Sequence, residues 1–561
     1  MPHEKTGLLH LADLMISRGI HDLIISPGSR NAPIISTFCN RPGMRCLSIV
    51  DERSAAFFAL GMAQQSGRPV AIACTSGSAV LNYAPAIAEA YYQRVPLVVL
   101  TADRPVEWID QGDGQTIRQK DVFANFIRKS VALPQTINSE EDLWFNDRLV
   151  AEALNSAMFP VPGPVHINLP FSEPLYDFPL TSAEVPKDIS VLHQPVLLPG
   201  ESLGELARLW NSSTRKIILV GQLPPCDVLQ RQLISLSKDP SVVVLSETTS
   251  NVFHEQFIGC IDRCLSAMTK GTQTDFAPDM LLTFGTAVVS KRIKTFLRKS
   301  PVRVHWHVDP ADLHMDTYQH LSHGIAMSPV NFFAQLMPHL TKCESDFAVK
   351  WQQLSLLAHK NHQQILAKAP WSDLQIMHSI FSHMPDNYAI QLANSTPVRY
   401  AQLFDFKAVH RFDSNRGTSG IDGSISTASG AAFASQRPTL LITGDLAFFY
   451  DVNGLWNKHL PANLRIIMVN NQGGGIFRFI DGPDSTGLLE DFFEARHQTS
   501  AKYLAMAYGL NYQEANDLQE LNSLLPEFLT GTPTKAAILE INSPPEESAS
   551  TLRNYFASLR Q

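Results

Sequence analysis

Two apolar runs each end in residues that could hold a metal ion. "TLLITGDLAFF" delivers Gly444 and Asp445, and "LRIIMVNNQGGG" delivers Asn471 followed by glycines at 473–475. A carboxylate oxygen from Asp445, a side-chain carbonyl from Asn471 and the backbone carbonyl of Gly473 would suit Mg²⁺ (or Mn²⁺). Such a cation takes six oxygens at about 2.1 Å and usually draws several from phosphate and water. Residues without a Cβ let backbone N–H groups approach phosphate closely. On this stretch alone, a turn followed by a capping aspartate accounts for the residues equally well. A second acid, Glu52 in "SIVDERSAAF", follows a short apolar stretch. Taken alone, it reads as a carboxylate stabilised at a helix N-terminus.

The elements around these residues must bring them to one place. A strand ending at Gly444-Asp445, a helix over roughly 446–458 and a strand ending at "MVNN" make one βαβ unit. Its right-handed crossover sets the strands parallel, so Asp445 and Asn471 are expected at the same carboxyl edge, where ligands bind in open α/β sheets. Similar alternation fills the first third, in "HDLIISPG", "PVAIACTSGSAV" and "VPLVVLTADRP". Continuous apolar strands separated by helices indicate parallel sheets covered on both faces. Residues 178–200, rich in Pro, Ser and Thr, read as a linker. A second unit follows with "RKIILVG", "SVVVLSE", "DMLLTFG" and "VRVHWHVDP", then a helical connection over 340–375 and a third unit. The histidines of "HWH" read as structural.

A chain of 561 residues with 44% hydrophobic and 17% charged residues fits a multi-domain globular enzyme. Its net charge of −8 argues against a general nucleic-acid binder. Seven scattered cysteines read as reduced thiols of a cytoplasmic protein. No apolar run approaches the ~18 residues needed for a membrane span. The N-terminal segment, with Leu8, Leu11, Ala12 and Met15 at helical spacing, reads as a first amphipathic helix and not as a signal peptide.

"GDL…NNQGG" resembles the diphosphate motif of thiamine-diphosphate enzymes, where GDG is usual and Leu446 here replaces the last glycine. Glu52 matches the glutamate that such enzymes place on a separate domain, where it hydrogen-bonds the aminopyrimidine ring and promotes loss of the thiazolium C2 proton. The resemblance implies an α/β chain of three doubly wound parallel-sheet domains: a pyrimidine-binding domain at 1–180, a central domain at 200–340 and a diphosphate-binding domain at 370–561. The cofactors implied are thiamine diphosphate and Mg²⁺ (or Mn²⁺). Thr75 and Gly77 of "TSGSAV", with Ile421, Gly444, Leu446 and Ile476, fall on cofactor-binding positions. Ile421 matches the bulky residue that props the cofactor into a bent shape.

The finer resemblance is to the 2-succinyl-5-enolpyruvyl-6-hydroxy-3-cyclohexene-1-carboxylate synthase family of menaquinone biosynthesis. It spans nearly the whole chain and is dense in "SPGSRNAPI", "LTADRP", "DQGDGQTIRQ", "SKR", "NSTPVR", "SNRGTSGIDG" and "GDLAFFYD". It implies decarboxylation of 2-oxoglutarate and addition of the four-carbon remainder to isochorismate. Matching substrate positions are Ser29, Arg30, Arg104, Gln115, Lys291, Arg292, Ser395, Arg399, Arg416 and Phe477, a set rich in cations suited to carboxylates. It also implies a homodimer or dimer of dimers, with Glu52 and Asp445 serving one cofactor from different subunits. The alternative is another carboligase, of acetolactate-synthase type, which would need small neutral pockets.

Overall fold

The computed structural model describes residues 6–173, 175–176, 184–192, 196–269, 271–406, 409–479, 482–532 and 534–560. Three parallel α/β sheets follow one another along the chain, the fold class the sequence implies. The first holds β1 (Asp22–Ile25), β2 (Arg45–Ser48), β3 (Val70–Cys74), β4 (Leu97–Asp103), β5 (Lys129–Ala132) and β6 (Val165–Pro170), in the order β2-β1-β3-β4-β6-β5. The second holds β7 (Lys216–Val220), β8 (Val242–Ser246), β9 (Met280–Phe284), β10 (Val304–Val308) and β11 (His323–Ile325), in the order β11-β10-β9-β7-β8. The third holds β12 (Ala389–Leu392), β13 (Arg411–Asp413), β14 (Thr439–Gly444), β15 (Leu464–Asn470), β16 (Asn511–Ala515) and β17 (Ala537–Asn542), in the order β13-β12-β14-β15-β17-β16.

The first and third sheets therefore repeat one topology. In each, the strand order reverses between the first and third strands, and such a reversal opens a crevice at the carboxyl ends. The loops after β1 and β3 flank it in one sheet, and those after β12 and β14 in the other. The central strands β3, β4, β7, β8, β9 and β15 are buried along their whole length, which is why they read as unbroken apolar runs. In β10, His305 and His307 both reach Thr283 Oγ1 at 2.9 Å, a structural role. The linker expected at 178–200 falls partly at 178–183 and 193–195, outside the described residues; residues 184–192 carry no helix or strand, and the next helix begins at Gly200.

The chain forms two compact units. One comprises Met1–His193, Asn415–Thr439 and Ala447–Leu464, and the other Gln194–Ser414, Leu440–Leu446 and Arg465–Gln561. In the first unit the helix Glu52–Ser66 crosses the helix Ser424–Ser435 with backbones nearly touching. A Cβ on Gly61 would lie 2.0 Å from the Thr427 carbonyl oxygen, and one on Gly430 1.9 Å from that of Phe58. Only glycines permit this approach.

The helix expected over 446–458 is shorter. It runs over Asp445–Tyr450 and gives way to a 3₁₀ turn at Val452–Leu455. Asp451 is fully buried, and its carboxylate accepts from Ser426 N at 2.7 Å and Ser426 Oγ at 2.8 Å. That carboxylate caps the helix Ser424–Ser435 instead of leaving Asp451 as a helix-interior residue, where aspartate is disfavoured.

Candidate active site

In the first unit, Glu52 is the first residue of its helix, with Asp51 as N-cap. Asp51 accepts from Ser54 N at 3.0 Å with one carboxylate oxygen and from Asn453 Nδ2 at 2.7 Å with the other. Arg53 donates to the Tyr450 carbonyl at 2.8 Å and lies over the Tyr450 ring. The turn bearing Glu52 is thus tied on both sides. Burial pushes the Glu52 carboxyl above the usual carboxylate range, and a hydrogen bond with Asn82 partly opposes this. A carboxyl held so keeps a proton at higher pH than a solvated one, as a proton-sharing partner for a ring nitrogen must.

The loops after β1 and β3 meet near it. A Cβ on Gly28 would lie 2.3 Å from Thr75 Cβ, and one on Gly77 would lie 3.2 Å from the Gln115 backbone. Gly77 N donates to Gln119 Oε1 at 3.0 Å. Thr75 Oγ1 and Ser76 Oγ are buried without a hydrogen-bond partner, a state that invites a polar ligand. Ser29 and Gln115 are exposed. Arg30 is buried, donates to the Phe171 carbonyl at 3.1 Å and pairs with Glu173 at 3.1 Å. Arg104 donates to the Gly114 carbonyl at 2.9 Å and faces Asp113 at 3.3 Å. Arg416 and Ile421 are half-buried on a loop anchored by the buried Glu89, which accepts from Gly417 N and Thr418 N at 2.7 Å each.

In the second unit, β14 and β15 bring Asp445 and the 471–475 loop together. Asp445 is 1% exposed. It accepts from Leu446 N at 2.6 Å and Gly473 N at 2.8 Å, and His497 Nε2 lies 3.4 Å from Oδ2. That contact holds the His497 imidazole above its usual range. Asn471 donates its amide N–H to Asp373 at 3.3 Å, which leaves its carbonyl oxygen as the free face of the amide. Burial raises the Asp373 carboxyl, which also accepts from Ser543 and Ser548. Gly473 sits at φ +151°, where a Cβ would meet the Glu494 carbonyl oxygen at 2.7 Å. Gly444 and Leu446 are half-buried beside this cradle. One carboxylate, one amide oxygen and one backbone carbonyl fit a hard cation that shares its remaining ligands with phosphate. Among the described residues no cluster of three or more His, Cys, Asp and Glu offers another metal site.

A cavity of about 360 Å³ in the same unit gathers Lys291, Arg292, Arg399 and Ile476. Sequence reasoning missed Arg553, Phe556 and Asp262, which line it too. Arg292 lies over the Phe556 ring at 4.2 Å. Ser395, just before Arg399, sits at φ +74°, a strained conformation for a residue with a side chain, and its carbonyl accepts from Arg399. Phe477 packs on Phe493 with centroids 5.8 Å apart. Arg553 and Phe556 carry no local signal, because their helix, Pro545–Ser558, looks like any amphipathic terminal helix.

Repeated doubly wound sheets, a carboxylate–amide–glycine cradle and a helix-terminal glutamate define a thiamine-diphosphate enzyme. Family descriptions agree. Residues 5–122 match "Thiamine pyrophosphate enzyme, N-terminal TPP binding domain", 205–392 match "Middle domain of thiamine pyrophosphate", and 395–541 match "Thiamine pyrophosphate enzyme, C-terminal TPP binding domain". Relatives named 2-succinyl-5-enolpyruvyl-6-hydroxy-3-cyclohexene-1-carboxylate synthase are 42% identical in Flavobacterium johnsoniae and 43% in Flavobacterium psychrophilum, each over 98% of both chains. The Porphyromonas gingivalis relative of that name is 40% identical over 99% of this chain and 97% of its own. The chain belongs to the 2-succinyl-5-enolpyruvyl-6-hydroxy-3-cyclohexene-1-carboxylate synthase family.

Proposed function

We propose that the protein removes CO₂ from 2-oxoglutarate and joins the remaining four carbons to isochorismate, giving 2-succinyl-5-enolpyruvyl-6-hydroxy-3-cyclohexene-1-carboxylate for menaquinone biosynthesis. The observation that carries this reading is the cavity where Lys291, Arg292, Arg399 and Arg553 converge beside Ile476 and Phe479. Both substrates are carboxylates, and arginine forks recognise carboxylates in a fixed orientation. The name shared by relatives at 40–43% identity points to the same product and leaves the acetolactate-type alternative unfavoured.

Thiamine diphosphate, when bound, supplies a nucleophilic carbon and an electron sink for decarboxylation. Asp445, Asn471 and the Gly473 carbonyl would hold Mg²⁺ (or Mn²⁺) for its diphosphate, and Thr75, Gly77, Gly444, Leu446, Ile421 and Ile476 would contact the cofactor. Glu52 holds a proton at its carboxyl for a ring nitrogen. Arg399, with Ser395, takes the distal carboxylate of 2-oxoglutarate, and Arg416 is a further substrate contact. Lys291 and Arg292 take the acceptor, and Ser29, Arg30, Arg104 and Gln115 are further substrate contacts. Ile476 and Phe477 keep water from the reacting carbon. The working form is a homodimer or dimer of dimers, and the free cysteines suit the cytoplasm.

The test combines the protein, thiamine diphosphate and Mg²⁺ with 2-oxoglutarate, with and without isochorismate, and follows CO₂ and product mass. Pyruvate lacks the distal carboxylate and should be a poor donor. Equal turnover of pyruvate and 2-oxoglutarate would refute this reading.

A further inference from the structure

The Lys291–Arg292 pair stands on a buried acidic support that no motif announces. Glu247 follows β8 and is 2% exposed. Both its oxygens are spent on the segment leading into the pair: Oε2 accepts from Val289 N and Oε1 from Ser290 N, each at 2.7 Å. Ser290 then caps the helix Lys291–Lys299. Its hydroxyl accepts from Ile293 N at 3.0 Å and donates to Asp262. Asp262 itself lines the cavity, where the charges of Arg292 and Arg399 oppose the rise that burial gives its carboxyl. On the other side, the Phe556 ring lies 4.2 Å under the Arg292 guanidinium.

These contacts converge on one outcome. Lys291 and Arg292 are exposed, long and flexible, and free side chains of this kind lose considerable rotamer entropy when they grip a ligand. A backbone fixed by two hydrogen bonds to Glu247 and a helix start fixed by Ser290 aim both side chains, and stacking of the guanidinium on a ring removes part of the rotamer cost of Arg292 in advance.

We infer that Glu247 and Phe556 are positioning residues that preset Lys291 and Arg292 to receive the carboxylates of the acceptor. This rests on the reading that the cavity binds isochorismate. Neither residue needs to touch the substrate. Glu247→Gln turns one acceptor oxygen into an N–H donor facing a backbone N–H, and so breaks half of the support while keeping its shape. Phe556→Leu keeps an apolar group but removes the π face, whereas Phe556→Tyr retains it.

The experiment measures steady-state constants for each substrate, calorimetric binding of isochorismate without 2-oxoglutarate, and melting temperature, for wild type and the three variants. Glu247→Gln should raise KM and the dissociation constant for isochorismate about tenfold, with kcat and KM for 2-oxoglutarate little changed. Phe556→Leu should raise both isochorismate constants about threefold or more, and Phe556→Tyr should restore them. Folding loss in Glu247→Gln would show as a lowered melting temperature, and Phe556→Leu then decides the matter. Isochorismate constants unchanged in Phe556→Leu, or changed equally in Phe556→Tyr, would overturn the inference. A wild type that fails to use isochorismate at all would instead refute the function on which it rests.

Discussion

Asp445 accepts the Gly473 N–H with one carboxylate oxygen and the Leu446 N–H with the other, so it shapes the cradle as well as supplying charge. Asp445→Ala should abolish Mg²⁺-dependent binding of thiamine diphosphate, read by calorimetric titration with and without the metal. Normal binding would remove Asp445 from the metal site. Glu52→Gln should behave oppositely: it keeps cofactor affinity and loses turnover, because an amide cannot share a proton as the raised Glu52 carboxyl does. On the proposed function, Arg399→Ala removes one partner of a charge pair with the donor. A loss of about 2 kcal/mol or more, roughly thirtyfold in kcat/KM, is expected with 2-oxoglutarate. The weak use of pyruvate should hardly change. Comparing the two donors separates lost carboxylate recognition from general damage. Asp445, Asn471 and Glu52 were legible in the sequence because their signal is local: a strand end, a fixed spacing, a turn. Arg553 and Asp262 were not, since each belongs to an ordinary-looking helix and acquires meaning only from what faces it.

Elements set the precision with which those residues are held. The helix that starts at Glu52 is locked by its crossing with the helix Ser424–Ser435, where Gly61 and Gly430 leave no room for a Cβ. Gly430→Ala should force the helices apart and cost about 1–3 kcal/mol, seen as a lowered melting temperature. It should also lower kcat, because the Glu52 turn rides on one of the two helices. A second device lies between β4 and β6. Thr101 Oγ1 meets His166 Nε2 at 2.7 Å and Asn168 Oδ1 at 2.8 Å. Burial lowers the His166 imidazole to about 4. The unfolded chain binds this proton near pH 6.5 and the folded chain only near pH 4. Stability is therefore unaffected above pH 6.5 and is lost as pH falls through that window. Urea unfolding at pH 7 and pH 5 should show a smaller difference for His166→Gln than for the wild type. Equal differences would assign the acid sensitivity to other groups.

At the scale of the molecule, the reading requires Glu52 of one subunit and Asp445 of another to serve one cofactor. Mixing inactive Glu52→Gln chains with inactive Asp445→Ala chains should restore activity in the heterodimers, because one site then has both residues intact. Isolated heterodimers without activity would sink the shared site. The sequence by itself determined the class of fold, since unbroken apolar strands alternating with helices can be covered only in parallel α/β layers. It also brought Asp445 and the 471–475 loop together, because one crossover forces the ends of β14 and β15 to the same edge. Even the number of sheets followed from the repeat of that pattern. What it did not determine is how the chain divides into compact units. Residues 415–439 and 447–464 lie in sequence among the strands of the third sheet, yet they pack within the first unit. Glycine-to-backbone contact between two distant helices decides this, and no window of sequence contains both. The helix after Asp445 ended early for a similar reason, because Asp451 found a buried partner in Ser426. The convergence of Glu247, Asp262, Arg553 and Phe556 on the Lys291–Arg292 pair was likewise settled only by tertiary structure: charge, stacking and hydrogen bonding act through space, and residues far apart in the chain become neighbours only once the backbone is folded.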